Sequence, residues 1–144
     1  MKRTGACLCG RVSLRAELRS KAIHVCHCTQ CQTWTGGGGF FSVGVTSLSV
    51  EGEEAISAYR ASEWGERASC GTCGTILWWR MQGRPVAYIA AGLLEDQTEL
   101  SVEEEIFVDH RACWLPAFPE ASQSTEAEEH AKLQAFLDRQ NDKA

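Results

Sequence analysis

Cys70-Gly71-Thr72-Cys73-Gly74 has the form of a metal-binding knuckle, in which two cysteines turn around one ion and a glycine follows. Two other clusters precede it, Cys7-Leu8-Cys9 and Cys26-His27-Cys28-Thr29-Gln30-Cys31, while Cys113 stands alone. Seven of the eight cysteines thus have metal-ligand spacing. Thiolate-rich tetrahedral sites select zinc or iron–sulfur clusters, and these spacings match neither ferredoxin pattern. Zinc is therefore the predicted metal.

The seven clustered thiols divide into a set of four and a set of three. A structural zinc takes four protein ligands, whereas a catalytic zinc usually has three and keeps one position open. The two pairs that lie far apart in sequence are predicted to close one structural zinc site, made of Cys7, Cys9, Cys70 and Cys73. The compact remaining set is predicted to hold a second, labile zinc and to be the catalytic site, made of Cys26, Cys28 and Cys31.

An alternative is that both sites are structural, with His24, His27 or His110 completing the second. Side chains of neighbouring residues in an extended strand point to opposite sides. We therefore expect His27 to point away from Cys26 and Cys28, which favours the open site. His24 is expected to be a strand residue, and Cys113 to be a small buried residue rather than an eighth ligand.

An open zinc with three thiolates has a distinctive chemistry. Three negative sulfurs over-neutralise the dication, so it should acidify water less than a zinc held by three histidines. It remains soft enough to accept a fourth sulfur. The predicted fourth ligand is a small substrate thiol, bound to the zinc as thiolate beside an electrophile.

Length and composition exclude several classes of protein. The chain has 144 residues and a formal net charge of −5, which argues against a nucleic-acid or anionic-membrane binder. A single domain of this size needs no disulfides to fold. With no secretory signal and no apolar run of membrane-spanning length, the expected location is the cytoplasm, where thiols stay reduced and cysteine clusters bind metals or catalyse.

Hydrophobic periodicity predicts a mainly β domain. Apolar residues alternate with polar ones from Val12 to Leu18, as in a half-buried strand. Further short strands are predicted, without intervening helices, at 23–25, 40–45, 56–60, 75–81, 86–90 and 105–108. Trp78 and Trp79 should face opposite sides of their strand, so that at most one lies in the core.

The character of the sequence changes near its end. Thr125 and Glu128 have the spacing of a capping box, and four later residues fall on one helical stripe: His130, Leu133, Phe136 and Leu137. We predict an amphipathic helix over roughly residues 124 to 140. The expected organisation is a zinc-binding β domain over 1–119 and an acidic helical tail over 120–144.

The cysteine clusters resemble those of the glutathione-dependent formaldehyde-activating enzymes, the GFA or CENP-V/GFA domain family. The matching segments are Gly5-Ala6-Cys7-Leu8-Cys9-Gly10-Arg11-Val12, Cys26 to Cys31, Gly36, Cys70 to Gly74, and Arg111-Ala112-Cys113-Trp114. The resemblance covers about residues 4 to 118. It implies a zinc-containing β-tent of the Mss4-like type, built of short antiparallel strands, and the same division into a structural and a catalytic zinc.

The resemblance also implies an activity. Its founding reaction joins the thiol of glutathione to formaldehyde, as a carbon–sulfur lyase. This chain departs from the usual pattern at His110-Arg111-Ala112-Cys113-Trp114, where many members have Ser-Arg-Ala-Pro-Trp, and at Gln32, where Arg is frequent. Both departures are expected near the substrate. The expected partners are a small thiol and a small aldehyde; the alternative function is a non-enzymatic, zinc-stabilised interaction module.

Overall fold

A computed structural model describes residues 1–142 and contains nine strands and two α-helices in that range. The elements in chain order are β1 (Lys2–Ala6), β2 (Ser13–Cys26), α1 (Thr29–Thr35), β3 (Phe40–Glu51), β4 (Ile56–Tyr59), β5 (Gly65–Cys70), β6 (Ile76–Met81), β7 (Tyr88–Ala90), β8 (Ser101–Ile106), β9 (Ser122–Ser124) and α2 (Glu126–Asp142). The predicted mainly β fold with a C-terminal helix is confirmed. The chain forms two compact units.

The first unit comprises Met1–Ile23 and Phe41–Ser101. Its strands follow the order β4-β5-β6-β7-β3-β2, and β1 pairs antiparallel with β2. Leu14, Ala16 and Leu18 are buried on one face of β2, as the alternating pattern predicts. These three residues belong to one apolar core with Leu77 and Ile89, which are fully buried. The same core includes Cys70, the first cysteine of the knuckle.

The second unit comprises His24–Phe40 and, within the described residues, the chain from Val102 to residue 142. It holds the end of β2, α1, most of β8, β9 and α2. β8 and β9 pair in parallel, unlike the antiparallel pairs expected throughout. A parallel neighbour is possible here because 15 residues, from Phe107 to Ala121, separate the two strands and give the chain room to return.

Several predicted strands are confirmed, with different lengths. The two segments predicted at 12–18 and 23–25 are one continuous strand, β2, of 14 residues. The strand predicted at 105–108 instead ends at Ile106, because Phe107 has a left-handed backbone (φ 56°) and starts a 3-10 turn. The prediction of no intervening helix is wrong, since α1 lies between β2 and β3.

The C-terminal helix is confirmed, over Glu126–Asp142. Its capping box forms as predicted: the Thr125 hydroxyl accepts from the Glu128 N–H at 3.2 Å, and the Glu128 carboxylate accepts from the Thr125 N–H at 3.3 Å. Leu133, Phe136 and Leu137 are half-buried along one stripe, while His130 is exposed. No helix within residues 1–142 is long and apolar enough to cross a membrane.

Two glycines with the same backbone conformation give a test of the fold. Gly52 has φ 85°, and a Cβ placed on it would lie 1.8 Å from the carbonyl oxygen of Arg11; Gly83 has φ 73° with no heavy atom within 4 Å. A left-handed backbone costs an alanine about 1–2 kcal/mol, and forced overpacking costs a further 1–3 kcal/mol or so. We expect Gly52→Ala to lower the free energy of unfolding in urea by about 2–5 kcal/mol.

The matched control is Gly83→Ala, which carries only the backbone cost of about 1–2 kcal/mol. Equal losses for the two variants would contradict the close approach of Gly52 to Arg11, in the turn that precedes β2.

Candidate metal centres

The first cluster forms where two distant turns of the first unit meet. Cys7 and Cys9 follow β1, Cys70 ends β5, and Cys73 lies in the turn before β6. The knuckle turn closes with a hydrogen bond from the Gly74 N–H to the Cys70 carbonyl at 2.8 Å. The four sulfur atoms all lie within 4.8 Å of one another, and the Sγ atoms of Cys9 and Cys70 are 3.8 Å apart. The structure thus brings the predicted four-cysteine set together.

The surroundings of Cys73 and Cys9 shift the pKa values of these two thiols in opposite directions. Hydrogen bonds from the Thr75 side chain and backbone lower the pKa of Cys73 to about 5. At Cys9 a backbone hydrogen bond from Arg11 favours the thiolate, but burial and the neighbouring thiols outweigh it and raise the pKa to about 11. Protein groups alone therefore do not favour four thiolates together. A bound cation would, since each negative sulfur then faces a positive charge.

The second cluster is built on the end of β2 and the first turn of α1. Cys26 is the last residue of β2, Cys28 is the N-cap of α1, and Cys31 lies buried inside the helix. The Sγ of Cys28 accepts a hydrogen bond from the Cys31 N–H at 3.3 Å. The three sulfurs lie within 4.8 Å of one another, and hydrogen bonds with the other two thiols raise the pKa of Cys26 far above its usual value. This set also fits a soft cation.

Histidine 27 lies between two of these cysteines but is not part of the cluster. Its side chain is fully buried, and Nε2 donates to the Glu105 carboxylate at 2.7 Å. Its other ring nitrogen, Nδ1, lies 3.2 Å from the carbonyl oxygen of Gly38. Both ring nitrogens face oxygen atoms of the protein, so the structure places His27 away from the sulfurs, as expected from its position beside Cys26 and Cys28.

The other two histidines that were alternatives as ligands have carboxylate partners. His24 lies in β2, as predicted, with Nδ1 2.8 Å from the Glu104 carboxylate. His110 donates from Nε2 to Glu126 at 2.8 Å, and this bond, with the Asp109 and Glu126 charges, raises the pKa of His110 against the opposing effect of burial. Asp109 in turn accepts from the Glu126 N–H at 3.0 Å, so this group anchors the start of α2.

Sequence reasoning missed Glu105, whose side chain is fully buried in the second unit. Burial alone would raise its pKa, but hydrogen bonds from Gln123, the Phe118 N–H and His27, with the charge of Arg111, lower it below its usual value. In the sequence, Glu105 ends a run of three glutamates and has the pattern of a solvated charged segment. Nothing local separates it from its neighbours.

The two departures from the family pattern are joined by one side chain. Gln32 Nε2 donates to the carbonyl oxygen of His27 at 2.7 Å and to that of His110 at 2.8 Å. The amide thus ties α1, which carries Cys31, to the 3-10 turn that contains His110. The two departures were expected to be near the substrate; the contact places both beside the three-cysteine segment.

Glycines following α1 let the chain pass close to the second cluster. Gly36 ends α1 in a left-handed conformation, with φ 73°. A Cβ on Gly39 would lie 2.6 Å from the Cys26 carbonyl oxygen, and one on Gly38 would lie 2.4 Å from the Leu115 side chain. A larger residue at Gly39 would push the loop away from Cys26, whereas one at Gly38 would meet the movable end of the Leu115 side chain.

Two arginines and the adjacent pair Trp78 and Trp79 have contrasting environments. Arg80 binds the buried carboxylate of Glu66 at 2.7 Å, and Arg111 lies 3.4 Å from that of Glu105. Trp78 is in the core and Trp79 is only half-buried, as their adjacent positions require.

The expectation of a buried Cys113 is wrong. Cys113 is exposed to solvent. It lies in a turn that is closed by a hydrogen bond from the Leu115 N–H to the Ala112 carbonyl. The neighbouring Trp114 is also exposed, by 67%.

Known proteins share the sequence pattern and the fold. The family model described as glutathione-dependent formaldehyde-activating enzyme matches residues 2–110. A Schizosaccharomyces pombe protein named an uncharacterized lyase is 28% identical over 109 residues, which cover 74% of this chain and 79% of that protein. A solved structure of a Rhodobacter sphaeroides protein, 24% identical, shares the fold with a TM-score of 0.53 over 64% of this chain and 87% of its own.

The close approach of Gly39 to Cys26 predicts a sharp difference between two neighbouring glycines. Gly39→Ala must move either the loop or the end of β2, whereas a Cβ on Gly37 meets only the Thr35 hydroxyl at 3.8 Å, an ordinary contact. We expect Gly39→Ala to lower the free energy of unfolding by about 1–3 kcal/mol, and Gly37→Ala to change it by less than about 1 kcal/mol. Urea denaturation measures both; a loss at Gly37 as large as at Gly39 would refute this packing.

Proposed function

Because this chain belongs to the family of glutathione-dependent formaldehyde-activating enzymes, we propose that it is a zinc-dependent carbon–sulfur lyase. It would bind a small thiol such as glutathione and join it to a small aldehyde such as formaldehyde, or catalyse the reverse reaction. The lyase class is supported by the family and by the name of the fission-yeast relative. The proposal places the protein in the reducing cytoplasm.

The proposed metal ligands are the two cysteine clusters. Cys7, Cys9, Cys70 and Cys73 offer four sulfurs within 4.8 Å of one another, which is the number that a closed structural zinc takes. Cys26, Cys28 and Cys31 offer three, which leaves one tetrahedral position for a ligand from outside. Four sulfurs fit zinc or iron–sulfur chemistry best, and the family favours zinc.

The observation that carries the proposal is the incomplete second site. Among residues 1–142, no fourth histidine, cysteine or carboxylate joins the three sulfurs. The nearest candidate in sequence, His27, has its ring engaged by Glu105 and Gly38, and His110 is engaged by Glu126. A three-sulfur site whose neighbouring histidines are engaged by oxygen atoms is suited to an external sulfur ligand.

The reaction forms one carbon–sulfur bond. The sulfur of the thiol attacks the carbonyl carbon of the aldehyde, and the proton of the thiol ends on the former carbonyl oxygen, so no oxidant or reductant is needed. A zinc ion at the three cysteines would supply positive charge that favours the thiolate form of the substrate. The protein keeps Cys28 and Cys31 in one turn of α1, while Gln32 and the glycine loop hold the surrounding backbone.

Catalysed exchange between glutathione and formaldehyde tests the proposal. We expect zinc-loaded protein to raise the exchange rate with S-hydroxymethylglutathione, measured by NMR, at least several-fold over buffer. Cys28→Ala should lose this increase and one zinc per chain, because a two-sulfur remnant binds zinc weakly. Cys113→Ser is the matched control for metal content and should keep both zinc ions, because Cys113 is exposed and belongs to neither cluster.

Either of two results would contradict this assignment. One is an exchange rate that the zinc-loaded protein does not raise above buffer, which would leave the zinc-stabilised interaction module as the function. The other is full activity in Cys28→Ala.

The first cluster should respond differently, since its metal affinity is part of the folding free energy. We expect Cys70→Ala to unfold the protein at 25 °C or to lower its melting temperature by more than about 10 °C, because Cys70 is buried in the apolar core as well as in the cluster. Circular dichroism with zinc analysis measures this. A folded Cys70→Ala variant that retains two zinc ions would contradict the four-cysteine assignment.

A further inference from the structure

We propose that Glu105 is a positioning residue for the three-cysteine site and acts through the imidazole of His27. This inference rests on the proposed function, because it assumes that Cys26, Cys28 and Cys31 bind zinc. It adds to the metal ligands a buried carboxylate that sets the geometry of the site without coordinating the ion.

Histidine 27 is held at every polar atom. Its backbone N–H donates to the Ile106 carbonyl at 3.0 Å, and its own carbonyl accepts from the Gln32 amide at 2.7 Å. The ring is fixed by Glu105 on one nitrogen and faces the Gly38 carbonyl with the other. Because His27 is bonded directly to Cys26 and Cys28, fixing its backbone and ring also fixes the directions in which those two cysteines project.

The carboxylate of Glu105 is the centre of this arrangement. One oxygen, Oε1, accepts from His27 and lies 3.4 Å from a guanidinium nitrogen of Arg111. The other, Oε2, accepts from the Phe118 N–H at 3.0 Å and from the Gln123 amide at 2.5 Å. All four partners are hydrogen-bond donors, so this position requires a side chain that accepts hydrogen bonds and donates none.

A glutamine at this position has nearly the same shape but cannot satisfy the same partners. Its NH₂ group would face either His27 and Arg111 or the Phe118 N–H and Gln123. In the first case Arg111 meets a donor, and His27 can pair only by carrying its ring proton on Nδ1, beside the Gly38 carbonyl; in the second case the Phe118 N–H and the Gln123 amide lose their acceptor. A buried donor left without an acceptor costs the free energy of desolvation. In either case the His27 ring loses its charged acceptor and is held by a weaker hydrogen bond, so the cysteines on either side are fixed less firmly.

Outer groups that orient the ligands of a metal site typically contribute about 10–100-fold in metal affinity. We therefore expect Glu105→Gln to weaken the binding of the second zinc on the order of tenfold or more, measured by competition with a chromophoric chelator. Affinity for the first zinc should not change, because its four cysteines lie in the other unit. Cobalt substituted at the second site should show a shifted thiolate-to-cobalt absorption band, which a general loss of stability would not produce.

Glu104→Gln is the matched control. Glu104 is the preceding residue of β8 and accepts from His24 at 2.8 Å, so the same chemical change breaks a carboxylate–imidazole pair one position away. We expect this control to change the affinity of the second zinc by less than about twofold and to leave the cobalt spectrum unchanged. A double variant, Glu105→Gln with His27→Gln, should bind the second zinc no more weakly than the weaker single variant, since both changes remove one interaction.

The outcomes separate the two proposals. A parent protein that binds no metal at the second site overturns the proposed function. A parent that binds two zinc ions, with Glu105→Gln matching it in affinity and cobalt spectrum, overturns the positioning role alone, and so do equal losses in the two glutamate variants.

If Glu105→Gln does not fold, Gln123→Leu removes the 2.5 Å hydrogen bond to Glu105 from an exposed residue, together with the bonds of Gln123 to Arg111 and to the Ala121 carbonyl. This variant should weaken the binding of the second zinc by roughly two- to threefold. An unchanged zinc affinity would overturn the role of Glu105.

Discussion

The first unit depends on the convergence of four sulfur atoms that come from two distant places in the chain. Cys9 and Cys70 are 61 positions apart, yet their sulfurs are 3.8 Å apart. Against a hydrogen bond from the Arg11 backbone, burial and the neighbouring thiols raise the pKa of Cys9 to about 11, so these thiols resist joint ionisation. A cation removes that conflict. Because Cys7 and Cys70 also belong to the apolar core, a metal at this end would be continuous with the packing that holds the strands.

The three-cysteine cluster of the second unit is held in a different way. Its three cysteines lie within six residues, so the cluster needs no distant partner to form, but so short a segment has few contacts of its own to fix three side-chain directions. The structure surrounds it with a buried polar network: Glu105 binds the His27 ring, Gln32 binds two carbonyls, and Gly39 lets the following loop approach Cys26. We propose that this network and the sulfurs together set the geometry of the site.

Much of the site could be predicted because ligand spacing is a local property. A Cys-x-x-Cys-Gly knuckle and a compact run of three cysteines each confine their sulfurs to a small volume whatever surrounds them. The amphipathic helix could be predicted for the same reason, since Thr125 and Glu128 are three residues apart. Helix α1 was not predicted because it has only seven residues, too few to show a helical pattern. It begins at an unusual N-cap residue, Cys28. Cys113 was expected to be buried from residue type alone, and the exposed turn around it decided otherwise.

The sequence by itself therefore determined the family, the mainly β class and the two sets of cysteines, because all three depend on short spacings and on alternation along single strands. Only the tertiary structure decided which residues surround those sets. Glu105 is 78 positions from His27, and the two Cys pairs of the first cluster are separated by most of the first unit. Such contacts depend on strand pairing and on the burial of one charge against its donors, and no local pattern in a run of three glutamates shows which of them the fold will enclose.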